Sequence, residues 1–87
     1  MFTGDIKKQT EMVLNNIDAL LKNSNMSFAH IIKTTIFLTS MSDFSSVNEV
    51  YAERFNDSPP ARSTVAVSGL PKGVNVEIEV IANFAAV

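Results

Sequence analysis

Arg62 opens the run Arg62-Ser63-Thr64-Val65-Ala66-Val67, directly behind Pro59-Pro60-Ala61. The prolines stop whatever precedes them and force an extended entry. The β-branched residues that follow suit a strand on a pleated, half-buried surface. A guanidinium is planar, permanently charged and matched to a carboxylate through two parallel N–H bonds. An arginine held at the mouth of such a strand is therefore an anion receptor or a structural ion-pair partner, with Glu77 or Glu79 of a neighbouring strand as its counter-charge. Glu77 and Glu79, two residues apart, share one strand face. A carboxylate beside a water can act as general acid or base; the plainer reading is a solvated polar face. Thr64 follows Arg62 by two and shares its face, with a hydroxyl able to bond a ligand. Asn48 is a polar residue on an otherwise apolar helix face, where an amide commonly satisfies nearby backbone groups. His30, at the start of a strand, reads as a strand-edge residue.

The composition narrows what these side chains can do. There is no cysteine and one histidine, so disulfides, thiolate metal sites, cysteine nucleophiles and histidine metal clusters are excluded. No phosphate loop, Rossmann fingerprint, nucleophile elbow or metal signature is present. Any chemistry is expected to proceed without cofactor or metal. The net charge of −2 offers no basic patch, so nucleic acid is not expected as a partner. No apolar run nears the ~18 residues that span a bilayer, and the start of the chain lacks a signal-peptide layout. A soluble intracellular protein is expected. Eighty-seven residues allow one domain, and a chain this short buries only about 60% of its unfolded surface, which favours an oligomer.

The elements that must position Arg62 follow from periodicity. Ile6, Thr10, Val13, Leu14, Ile17, Leu20 and Leu21 repeat at helical spacing, with Thr3 and Asp5 as candidate caps and an end near Asn23 to Asn25. Ser27-Phe28-Ala29 is a short connector. His30 to Thr39 is the strongest strand: Ile32, Thr34, Ile36 and Leu38 point one way, Ile31, Lys33, Thr35 and Phe37 the other. Apolar residues on both faces predict a central strand covered on both sides. Behind a second cap at residues 40–43, Phe44, Val47, Tyr51 and Phe55 mark one face of a second helix. Asn56 to Pro60 is a loop. Strands at Arg62–Ser68 and Asn75–Asn83, joined by Gly69-Leu70-Pro71-Lys72-Gly73, predict an antiparallel hairpin. The order helix, strand, helix, strand, strand gives an α+β domain with helices on one sheet face.

Pro60-Ala61-Arg62-Ser63, Gly69-Leu70-Pro71-Lys72 and Val76-Glu77-Ile78-Glu79-Val80-Ile81-Ala82 stand in that order behind Lys33-Thr34-Thr35-Ile36-Phe37-Leu38, Asp43-Phe44 and Val47-Asn48-Glu49-Val50-Tyr51. This series resembles the reactive intermediate deaminase family (RidA, also called YjgF) from about Thr3 to Ala82. The resemblance implies a chorismate-mutase-like fold with two helices on one face of a mixed sheet. Residues 1–87 would form a single domain equal to the carboxyl-terminal two-thirds of the family fold. The family's three amino-terminal strands, with a tyrosine and a Ser-Gly segment that complete its pocket, have no match here. A fragment, a product started at an internal methionine and a naturally short homologue are the three explanations.

By the same resemblance the activity is hydrolytic deamination of reactive 2-imino acids and their enamines to 2-keto acids and ammonia. Arg62 would hold the substrate carboxylate, Glu77 would position or activate water, and Asn48 and Thr64 would lie at the substrate. Where some members have cysteine, Thr64 cannot act as a thiolate. The implied partners are a small imino or keto acid and two further copies in a homotrimer with the pocket between subunits. The implied location is cytoplasmic, with a mitochondrial one left open. The alternative is a non-catalytic ligand-binding, chaperone-like or translation-inhibiting oligomer of the same family.

Overall fold

The computed structural model describes residues 5–55 and 59–84. Helix α1 spans Ile6–Asn23. Asp5 caps it, its Oδ1 accepting from the backbone N–H of Lys7 at 2.9 Å and Lys8 at 3.3 Å. Thr3, the other candidate cap, lies outside the described residues. The helix stops where expected: Asn25 takes a left-handed φ of 59°, and the N–H groups of Asn25 and Met26 return to the carbonyls of Lys22 and Leu21. That pair of bonds satisfies two of the carbonyls orphaned in the last turn. Strand β1 spans Ile31–Leu38, helix α2 Phe44–Arg54, strand β2 Ala61–Ala66 and strand β3 Val76–Ala82. Among the described residues no helix is long and apolar enough to cross a membrane.

The sheet is mixed, in the order β2-β1-β3, and both helices pack on one face of it. β1 is central, as expected. It pairs in parallel with β2 and antiparallel with β3. The expected β2–β3 hairpin therefore does not form, because β1 lies between the two strands. Parallel neighbours need a crossover, and α2 supplies it. The segment between β2 and β3 instead crosses the end of β1, where the Val67 N–H bonds the Leu38 carbonyl and the Thr39 N–H bonds the Asn75 carbonyl.

Residues paired across the sheet share a face. Thr34 is flanked by Arg62 and Val80, Ile36 by Thr64 and Ile78, and Leu38 by Ala66 and Val76. This is the helix face; Thr34, Ile36 and Leu38 are at most 1% exposed. The opposite face carries Thr35, Phe37, Ser63, Val65, Glu77, Glu79 and Ile81, and among the described residues no helix covers it. The expectation that β1 is covered on both sides is met on one side only, since both helices lie on the same side. A bulge between Ile31 and Lys33 also corrects the alternation. Ile31 turns into the core and Ile32 is 44% exposed, the reverse of the simple period. On α1, Leu20 falls off the buried stripe and is exposed, whereas Gln9 is buried.

Gln9 is buried because it is paired. Its Oε1 accepts from the Asn75 backbone N–H at 2.9 Å, and its Nε2 donates to Asn75 Oδ1 at 3.1 Å. Asn75 Nδ2 donates in turn to Thr39 Oγ1 at 3.0 Å. One side-chain amide thus ties α1 to the start of β3 and the end of β1. On the outer surface an ion pair between Lys7 and Glu49 joins α1 to α2.

Candidate functional site

Arg62 is the second residue of β2 and points to the helix face, level with Thr34. Parallel pairing with β1 carries it beneath α2. Its Nη1 donates to Asn48 Oδ1. Its guanidinium carbon lies 5.0 Å from the Tyr51 ring centroid and 5.6 Å from that of Phe44, inside the ~6 Å range of cation–π attraction. Phe44, Asn48 and Tyr51 are four and three residues apart, so one helix face presents all three. Tyr51 is itself fixed. Its ring stacks on Phe55 at 4.5 Å, and its hydroxyl lies 2.7 Å from Thr34 Oγ1 in the core.

An open recess of about 400 Å³ adjoins this arrangement, lined by Asn48, Tyr51, Ala52, Phe55, Pro59, Pro60 and Arg62. The prolines form its lip, and Arg62 is exposed to it. Among the described residues no carboxylate pairs with Arg62. The ion-pair alternative with Glu77 or Glu79 is overturned by topology: both glutamates are on the other sheet face, and β1 separates β3 from β2. The site can orient an anion by a fixed guanidinium edge, at a wall of aromatic faces that leaves the charge uncancelled.

The expected residues are only partly brought together. Asn48 and Arg62 touch. Thr64 shares the helix face with Arg62 and is half-buried, level with Ile36. Glu77 is elsewhere. Arg62 is level with Thr34 and Val80, whereas Glu77 is level with Phe37, three residues along β1. Two strand spacings and three residues put the two backbones about 14 Å apart, with their side chains on opposite faces. Glu77 borders a different groove, of about 350 Å³, between α1 and β3. Arg62 and Glu77, which the resemblance sets at one substrate, do not project into one cleft within one chain, because the register sets them on faces of opposite parity. His30 serves as a cap: its Nδ1 accepts from the Ser27 N–H at 3.0 Å at the turn before β1.

Sequence reasoning counted Phe44 and Tyr51 as apolar stripe and missed their second role under Arg62. The signal was there in the Phe44-Asn48-Tyr51 spacing, which sets an amide between two rings on one helix face. Thr34 gave a weaker signal, as a lone polar residue on the inward face of β1.

The chain is similar to known proteins along nearly all of its length. A family model described as Endoribonuclease L-PSP matches residues 1–84. A RutC family protein of Pyrococcus horikoshii is 54% identical over 79 residues, covering 91% of this chain and 63% of the relative. The bovine 2-iminobutanoate/2-iminopropanoate deaminase is 42% identical over 79 residues, covering 91% of this chain and 58% of the relative. The crystal structure of YyfA from Yersinia pestis, a protein of unknown function of the conserved Rid family, superimposes with a TM-score of 0.91 at 53% identity, covering 94% of this chain and 66% of that one. The chain thus spans less than two thirds of the length of each.

Proposed function

The chain belongs to the endoribonuclease L-PSP family, and from that premise we propose that it serves the hydrolytic deamination of small 2-imino acids. The observation that carries this reading is the Arg62 guanidinium, held at an open recess with no carboxylate partner among the described residues. In this reading Arg62 binds the substrate carboxylate through an in-plane pair of N–H bonds. Water adds to the C=N carbon and its proton passes to nitrogen. The resulting carbinolamine expels ammonia and leaves a 2-keto acid. The chemistry is undemanding, so holding substrate and water in register supplies most of the acceleration.

Glu77 enters through assembly. The separation of Arg62 from Glu77 within one chain is resolved if Glu77 of a second copy faces the Arg62 recess, with the water between them. The open sheet face, with Val65 42% and Ile81 56% exposed, suits burial against further copies in a trimer. The same separation favours a second reading, binding of a carboxylate ligand without turnover. Two measurements separate them: titration with 2-ketobutyrate, and ammonia release from 2-iminobutyrate generated by a coupled dehydratase. Binding is expected in the native chain, with ammonia release slow because the pocket-completing segment of the family has no match here, and both signals are lost in Arg62→Ala and Arg62→Lys, because lysine lacks the fork. Binding without ammonia release selects the second reading. Unchanged binding by Arg62→Ala overturns both.

A further inference from the structure

We propose that Asn48, Phe44 and Tyr51 are positioning residues that hold Arg62 fixed without neutralising it, and thereby tune the recess to a small planar carboxylate. The proposal rests on the reading of Arg62 as the anion receptor and adds how its charge is kept available. Three groups restrain the guanidinium, and none of them carries a charge. The Asn48 amide oxygen takes one Nη1 proton. The rings of Phe44 and Tyr51 lie 5.6 and 5.0 Å from the guanidinium carbon. An aromatic face attracts a cation through its quadrupole and uses none of the in-plane N–H donors. A guanidinium has five such donors, and one is committed to Asn48. The remaining donors stay in one plane, ready for a two-oxygen acceptor.

The amide matters as much as the rings. Aspartate at position 48 could accept the same hydrogen bond in the same place. It would also set a negative charge against the guanidinium, and an incoming carboxylate would then meet a neutral pair. Asparagine keeps the geometry and leaves the charge. The platform is anchored below, because Tyr51 is 4% exposed and its hydroxyl lies 2.7 Å from Thr34 Oγ1. A tethered arginine in a half-open recess loses little freedom when it binds, which is where preorganisation raises affinity.

The test uses Asn48→Asp, Asn48→Ala and Phe44→Leu beside Arg62→Ala, each checked by circular dichroism. The probes are 2-ketobutyrate and its neutral amide, 2-ketobutyramide. Asn48→Asp should weaken 2-ketobutyrate binding at least about tenfold and leave the amide nearly unaffected. A merely structural role for Asn48 would weaken both probes equally. Asn48→Ala and Phe44→Leu should each weaken the anion several-fold, and should speed rotation about the Arg62 guanidinium bonds, read from its side-chain NMR signals without ligand. If Arg62→Ala loses the anion while Asn48→Asp binds it like the native chain, the positioning role is overturned and the receptor reading stands. If Arg62→Ala binds normally, or the native chain does not bind, the receptor reading fails and takes this proposal with it.

Discussion

The hydroxyls of Thr34 and Tyr51 are 2.7 Å apart in the core, directly beneath the recess that holds Arg62. Each is the other's hydrogen-bond partner, which is how two buried polar groups are tolerated there. Thr34→Val leaves the tyrosine hydroxyl unpaired, and Tyr51→Phe does the same to the threonine. Either change should cost about 1–3 kcal/mol. The double replacement removes donor and acceptor together and should cost clearly less than the sum. Urea denaturation of the four proteins measures this. Strict additivity would show that the bond contributes nothing.

Gln9 gives a second test in the core. Gln9→Leu keeps the bulk but strands the Asn75 backbone N–H beneath α1. The expected loss is again about 1–3 kcal/mol, detected as a lowered melting temperature. Gln9→Glu should fall between, because its carboxylate still accepts from the backbone but cannot donate to Asn75 Oδ1 as the amide does.

The open sheet face predicts self-association. Sedimentation at micromolar concentration should show a species near three times the 9.5 kDa chain mass. Val65→Lys and Ile81→Lys each place a charge on the exposed apolar face and should shift the population to monomer. A native chain that sediments as a folded monomer removes the assembly from the proposal.

Lys7 supplies the pH dependence. The Glu49 carboxylate, by its hydrogen bond first and its charge second, holds the Lys7 ammonium above its ordinary pKa of 10.5. A raised folded-state value means that the stabilisation is complete below 10.5 and is lost as pH rises through the folded value. Because both side chains are largely exposed, the contribution is small and screened by salt. Glu49→Gln should leave the melting temperature nearly unchanged at neutral pH and flatten its alkaline decline.

Much of this was legible from local pattern. Both helices, the three strands and the Asp5 cap follow from periodicity and capping chemistry, which act over a few residues. What was not legible depends on pairing. Gly69 to Gly73 reads as a hairpin turn because nothing nearby shows that β1 will take the place between β2 and β3. That choice decides which face Glu77 shares with which neighbour. The bulge at Ile32 is similarly silent, since an apolar residue there satisfies either parity. Asn48 could be picked out as a polar residue in an apolar stripe. Its partner could not, because Arg62 reaches it only through the parallel alignment of β2 with β1.

That alignment has a further consequence. Thr34, Phe44, Asn48, Tyr51 and Arg62 all belong to the continuous β1–α2–β2 stretch, and neither α1 nor β3 contributes a side chain to the arginine's restraint. The restraint on Arg62 is a local object in sequence, closed by a single crossover of modest length, so its contacts are inexpensive in loop entropy. The other edge of the sheet and the first helix reach Arg62 only indirectly, through the core they share with β1 and α2.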